Sequence, residues 1–417
     1  MRSRFAAASA ALVFLPGCLG AAAPDRSIAP ELRPVAISER SAAVTRAPGF
    51  QQWIDGFRTR ARAEGISDRT FDRAFRGVTF DEEIISRDRN QAEFSRPIWQ
   101  YLDGAVSEAR INNGRAALRE HGEVLERIEA RYGVEKEIVV AVWGLESSYG
   151  STRGNTPIIG ALATLAYDGR RGQFFENQLI GALQIIEAGD VAPENMRGSW
   201  AGAMGHTQFI PTSFLAYAVD FTGDGRRDIW SDDPSDSLAS TAAYLARHGW
   251  TRGRPWGVEV RLPDGFDARA AGSRRSFGEW RAMGVRAAQG SEMPSSGDAS
   301  LMFPAGAQGP ALLVTDNFQV IKRYNSSDSY AIAVGHLSDR LRGGGPFQGS
   351  WPRDDRPLSA SEREELQRLL TARGFDTGGV DGKVGPMTVA AVRSYQSAAG
   401  MAPDGYVSLD LLKRLRR

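Results

Sequence analysis

The chain has 417 residues, 42% hydrophobic and 24% charged, which is the balance of a soluble globular protein with room for more than one domain. Its formal net charge of +1 gives no electrostatic basis for a nucleic-acid partner. A single cysteine, Cys18, excludes an intrachain disulfide, and the four histidines (His121, His206, His248, His336) show no zinc- or haem-ligand spacing.

In chain order, Arg2 and Arg4 precede an apolar run from Phe5 to Leu15. That run is too short for a bilayer span of ~20 residues and has the layout of an export signal, here residues 1–23. Two readings of its end stand side by side. LPGC (Leu15 to Cys18) resembles a bacterial lipobox with an unusual Pro16, making Cys18 a candidate lipid anchor; ordinary cleavage near Ala21-Ala22-Ala23 is the other. Residues 24–48 mix Pro, Ala, Ser and Arg without periodicity and read as a tether. Amphipathic helical segments fill 49–340, with late strand-like runs at ALLVT (311–315) and FQVI (318–321). Residues 341–357 are Gly/Pro-rich and predict a linker. Residues 358–417 read as a compact helical unit in which DGKVGPMT and DGYVSLDL each place DGxV before a helix.

Three segments carry candidate chemistry. In VEKEIVVAVWGLESSYG (134–150), Ile138, Val139, Val142 and Leu145 recur at helical spacing, and Glu146 lies on or beside that apolar face. A carboxyl in apolar surroundings has a raised pKa and serves as a proton donor near neutral pH; a glutamate at a helix rim is the plainer alternative. In GSWAGAMGHTQFIPTSF (198–214), the small residues Gly202, Ala203 and Gly205 allow close backbone approach by a ligand, or tight helix packing. Ser199 and Gln208 add hydrogen-bonding groups there. In KRYNSSDSYAIAVGHL (322–337), Tyr324, Asn325 and Tyr330 pair aromatic faces with an amide, a mixture that suits sugars but also a half-buried core.

Together, GLESSYG, SWAGAMGHTQFIPTSF and RYNSSDSYA resemble the B-type membrane-bound lytic murein transglycosylases of bacteria, over most of 49–340. The resemblance implies a mainly α fold: a lysozyme-like helical catalytic domain with a small β-containing part. It implies Glu146 as the only catalytic acid/base, with Ser199, Gln208, Tyr324, Asn325 and Tyr330 lining a saccharide groove. It adds Arg170 and Arg171 (in YDGRRGQFF), Tyr244 (in STAAYLARHGW) and Tyr101 (in IWQYL) as substrate-binding residues. The implied reaction cleaves the β-1,4 bond between N-acetylmuramic acid and N-acetylglucosamine, leaving 1,6-anhydromuramoyl ends. The implied partner is the peptidoglycan glycan strand in the periplasm, with outer-membrane attachment resting on Cys18. A hydrolytic muramidase and a non-catalytic wall-binding scaffold are the alternatives.

In DFTGDGRRDIWSDDPSD (220–236), Asp220, Thr222, Asp224 and Asp228 fall at EF-hand positions one, three, five and nine, with Gly225 at six. Ser231 replaces the glutamate normal at position twelve; the resemblance, which includes a family member with a calcium-binding loop here, implies Asp236 as the last acidic ligand after a short insertion, and Asp236 is equally placed to cap the helix that follows. The implied reaction requires no cofactor, so calcium here is a candidate structural ion only. The C-terminal unit resembles the peptidoglycan-binding domain of cell-wall enzymes, implying a three-helix bundle. Leu366, Leu369, Leu370, Val389, Val392 and Tyr395 are its expected core.

Overall fold

The computed structural model describes residues 47, 49–89, 96–288 and 292–417; the expected export signal, Cys18 and nearly all of the tether lie outside the described residues. Among the described residues six helices lead up to the first motif, α1 (Phe50–Ala63), α2 (Asp68–Ala74), α3 (Glu82–Arg89), α4 (Ile98–Ala105), α5 (Glu108–Glu120) and α6 (Gly122–Tyr132), and a seventh, α7 (Lys136–Ser147), carries it. Local chemistry marks several starts. Ser67 and Ser107 accept the backbone N–H of Thr70 and Arg110, supplying side-chain caps to α2 and α5.

The apolar stripe expected on α7 is present, but Val140, Ala141, Trp143 and Gly144 are buried as well. Packed by α5, α6, α11 and α14, this helix is the axle of the domain rather than a surface element. Leu145 and Glu146 are the first residues of its last turns to regain partial exposure.

Strands β1 (Thr156–Pro157) and β2 (Arg197–Gly198) pair antiparallel across the hairpin of α8 (Ile158–Asp168) and α9 (Gly172–Ala188). Next come α10 (Pro211–Tyr217), with proline at its first turn, and the buried α11 (Ser235–Arg247). A five-stranded antiparallel sheet follows, in spatial order β4 (Arg274–Ser276), β6 (Asp298–Met302), β7 (Ala311–Val314), β3 (Gly257–Arg261), β5 (Arg286–Ala287). With α12 (Phe277–Ala282) it encloses a small second core of Val258, Val260, Phe277, Trp280, Leu301 and Leu313. β7 is buried on both faces because Leu312 and Val314 belong to the main core while Ala311 and Leu313 belong to the small one.

One expected strand is a helix. FQVI lies within α13 (Asp316–Tyr324), because Thr315 accepts the N–H of Asn317 and turns the chain into a helix directly after β7. α14 (Asp328–Leu341) then packs against α7 and carries the chain out of the domain.

α15 (Ala360–Ala372), α16 (Pro386–Ala398) and α17 (Leu409–Leu415) form the C-terminal bundle around Leu366, Leu370, Val392, Leu411, Leu412 and Leu415. Leu369 and Tyr395 pack on its edge, whereas Val389 stays half-buried outside it. The DGxV echo has a structural cause. Buried Gln367 on α15 accepts the N–H groups of Asp381 and Gly382 and donates to the Asp381 carboxylate; buried Gln396 on α16 does the same to Gly405 and Asp404. Each Asp-Gly turn is thus clasped by an amide of the preceding helix, with glycine at φ 68° and 79°.

Past Leu341, where α14 ends, the expected linker has no regular structure, yet it is docked along its length. Glu259 accepts the N–H groups of Gln348 and Gly349, Phe347 stacks on His336 at 4.1 Å, and Arg353 makes a two-pronged ion pair with Asp103. Asp404 of the bundle also accepts the N–H of Ala307.

Candidate active site

The geometry of the catalytic turn is legible residue by residue in GLESSYG. Tyr149 folds back so that its side chain fills the space left by Gly144 and Gly114; a Cβ at Gly144 would meet the ring at 2.7 Å, and one at Gly114 the hydroxyl oxygen at 2.5 Å. Its hydroxyl donates to the Arg110 carbonyl at 2.7 Å, and the Arg110 guanidinium donates to the Gly144 carbonyl at 2.8 Å. Ser148 (φ 49°), Tyr149 (φ 59°) and Gly150 (φ 83°) are left-handed in succession, a strained arrangement for the two non-glycine residues. The Ser147 hydroxyl holds it by accepting the Gly150 N–H and donating to the His206 carbonyl. A Cβ at Gly150 would strike the His206 ring at 2.6 Å.

This turn ends α7 one residue after Glu146. The glutamate therefore sits at the negative end of a helix, largely enclosed yet still partly accessible. Burial pushes its carboxyl up to about 7, against a smaller opposing effect from Tyr330, whose hydroxyl donates to Glu146 Oε1 at 2.6 Å. Burial also raises the Tyr330 and Tyr324 hydroxyls, with the Glu146 charge adding to it, so both remain proton-bearing donors.

The other expected residues divide into three groups. Tyr101 is close enough to Tyr330 to raise its hydroxyl electrostatically, so α4 brings it to the site. The Tyr324 hydroxyl donates to the Thr207 carbonyl at 2.6 Å, and its ring packs between Phe209 and Tyr244. Tyr244 donates to the Arg323 carbonyl and fixes the end of α13, just before exposed Asn325. Asn325 Oδ1 accepts the Ser327 N–H, leading the chain into α14.

Ser199 and Gln208 occupy the loop closed by the Gly198–Met204 and Met204–Phe209 bridges. Ser199 Oγ accepts the Ala203 N–H. Gln208, itself at φ 58°, spends its amide N–H groups on the Arg153 and Gly205 carbonyls. Here it shapes the loop. Arg170 and Arg171, in turn, both grip the buried carboxylate of Asp88 on α3 and hold that helix to the α8–α9 hairpin.

Sequence reading missed Tyr149, Arg110, Ser147, Thr207 and His206. The first, third and last two stand inside the quoted motifs, so the signal was there; the Arg110 contact spans 39 residues and left none. His206 is buried and accepts from Trp143 at Nδ1 while its Nε2 faces the Ser231 carbonyl, and burial lowers its basicity.

The candidate calcium residues use their oxygens internally. Asp220 accepts the N–H groups of Gly223, Asp224 and Gly225, Asp224 that of Arg226, and Asp228 those of Trp230 and Ser231. Thr222 donates to Asp220, and buried Asp236 accepts the N–H groups of Phe221, Thr222 and Asp228. Among the described residues no three acidic, His or Cys side chains converge on a point that would hold a metal. In this arrangement the loop does not fit a calcium ion, since its acidic side chains do not converge and serine stands at 231 where a bidentate glutamate is normal. Calcium or a chelator is accordingly expected to move the melting temperature by less than about 1 °C, by differential scanning fluorimetry; a rise with millimolar calcium would show that the loop rearranges around the ion.

Residues 49–339 match the family described as Transglycosylase SLT domain, and 359–415 match a peptidoglycan binding domain. The chain is 34% identical over 249 residues to membrane-bound lytic murein transglycosylase B of Escherichia coli (strain K12), spanning 58% of this chain and 66% of that protein. It superposes on SltB3 from Pseudomonas aeruginosa in complex with NAG-anhNAM-pentapeptide with a TM-score of 0.85 and 52% identity, covering 88% of this chain and 99% of that one. The Escherichia coli lytic transglycosylase Slt35 in complex with calcium gives a TM-score of 0.58 and 30% identity, over 71% and 93% of the respective chains. With the family match spanning the helical body and the single enclosed glutamate at its centre, the chain belongs to the SLT-domain lytic transglycosylases.

Proposed function

We propose that this lytic transglycosylase cleaves the β-1,4 bond between N-acetylmuramic acid and N-acetylglucosamine and leaves a 1,6-anhydromuramoyl end. The observation that carries the reading is the enclosure of Glu146: burial and the Tyr330 hydroxyl govern its protonation, and among the described residues no second carboxylate shifts it. Hydrolytic glycosidases divide the work between two carboxylates, one as acid and one as nucleophile or as base for water. A lone group suffices when the nucleophile is already part of the substrate.

Protonated near neutral pH, Glu146 gives its proton to the glycosidic oxygen as the bond to C1 breaks. Tyr330 supports the carboxylate that results. That carboxylate then takes the proton of the muramoyl C6 hydroxyl, whose oxygen closes on C1. Tethering gives this attack a large proximity advantage, and no water is consumed. In this reading Ser199 and Asn325 hold the sugar at the oxocarbenium-like transition state, while Tyr101, Tyr244 and Tyr324 line the groove and Gln208 keeps its loop open. Residues 49–340 act as the catalytic domain and 358–417 as the wall-binding domain of a periplasmic enzyme. The pentapeptide-bearing saccharide bound to SltB3 supports this substrate class.

Mass spectrometry of muropeptides released in H2¹⁸O tests it. The expected products lack one water relative to hydrolytic ones and carry no heavy oxygen; labelled reducing ends would make the enzyme a muramidase instead.

A further inference from the structure

Behind the two-stranded β1–β2 pair lies a cleft of about 620 Å³ walled by Arg73, Arg153, Asn155, Arg197 and Arg226. Its acids are Asp190 and Asp228, so four guanidinium groups face two carboxylates. Both carboxylates are already engaged: Asp190 by Arg227 at 2.6 Å, Asp228 by the N–H groups of Trp230 and Ser231. Arg153 pairs with Asp232 outside the cleft, and Arg73 stands 4.0 Å from Glu194. Among the described residues Arg197 and Arg226 have no ion pair and Arg226 has no side-chain partner, while Arg197 donates to the neutral oxygens of Asn155.

The cleft is built onto the catalytic loops. Arg153 closes the turn that begins at Tyr149, and its carbonyl accepts Gln208. Arg197 precedes Ser199 by two residues, about 7 Å of extended chain. Gly154 and Gly198 meet there so closely that a Cβ on Gly154 would lie 2.3 Å from the Gly198 carbonyl oxygen. The acidic loop fits the same picture. Its Asp224 bonds the N–H of Arg226 and Asp190 anchors Arg227, so the loop presents an arginine to the cleft.

We propose that this cleft binds the free carboxylates of a peptidoglycan stem peptide, with Arg197 and Arg226 as the pairing residues. The proposal rests on the glycan-cleaving reading above and adds to it a recognition site for the peptide branch. Guanidinium groups suit this ligand because each offers two parallel N–H donors to a carboxylate.

The test compares kcat/KM of the full chain on murein strands bearing their peptides and on the same strands stripped by an amidase. Wild type is expected to prefer peptide-bearing strands by about tenfold, the value of one well-made charged contact. In R197A/R226A that preference should fall to about one through loss on the peptide-bearing strands alone, with R197K/R226K intermediate. A wild type indifferent to the peptides, or a double variant that keeps the preference or loses both substrates equally, overturns the proposal. Failure of wild type to cleave either substrate would instead overturn the glycan-cleaving reading. Both side chains are exposed, so an unchanged melting temperature should accompany the substitutions.

Discussion

Glu146→Gln is expected to lower kcat/KM on murein by at least about 10³-fold, measured by muropeptide release, because one group supplies both the acid and the base step. Glutamine keeps the volume and can still accept the Tyr330 hydroxyl, so the variant should fold and sediment with murein. Its stability carries a second signature. The Glu146 carboxyl rises from an ordinary value of 4.5 to about 7, through burial first. Between those values the folded chain holds a proton that the unfolded chain has released, so wild-type stability falls as pH rises. Above pH 7 the cost is about 3 kcal/mol, which glutamine does not bear. The variant should therefore melt several degrees above wild type at pH 8, and the gap should close as pH falls toward 4.5. Equal melting temperatures at pH 8, or appreciable lysis by the variant, would count against Glu146 as the enclosed acid.

Gly144→Ala is expected to be damaging too, at a buried position of α7 beneath the turn. Alanine favours a helix over glycine by about 1 kcal/mol, yet its methyl would meet the Tyr149 ring at 2.7–2.8 Å. The ring has nowhere to go, since Gly114 lies against its hydroxyl end and the hydroxyl is tied to Arg110. Expelling it releases the left-handed run that ends α7 and shifts Glu146, a displacement worth about 10²-fold in rate if it reaches 1 Å. Tyr149→Phe, which keeps the ring and loses one hydrogen bond, should cost far less. The comparison is kcat/KM for the two variants; a fully active Gly144→Ala enzyme would show that the turn tolerates another packing.

How much of this was visible in the chain depended on range. The apolar recurrence through α7 revealed the helix and the placement of Glu146, because both follow from spacing within four residues. The extent of burial was not visible, since four other helices wrap α7 and two of them, α11 and α14, arrive from distant parts of the chain. FQVI has the composition of a strand and forms a helix because Thr315 caps it, a local signal outweighed by β-branched content. Arg170 and Arg171 have the chemistry of substrate-binding residues, but their partner Asp88 is more than eighty residues away and buried. The DGxV echo could be seen and not explained, because its explanation is one glutamine on each preceding helix. Glycine and proline content suggested a loose connection at 341–357, where backbone N–H groups instead found Glu259.

That docked connection changes what the C-terminal bundle does mechanically. A slack leash lets a cutting head wander over its anchorage, whereas here grip and blade share one frame. Under the proposed wall-binding role, the distance along a glycan between the place that is held and the place that is cut would be a fixed gauge, set by Phe347 on His336 and by the Arg353–Asp103 clamp. Severing the chain at 341 would strip a face from the catalytic body as well as remove the bundle.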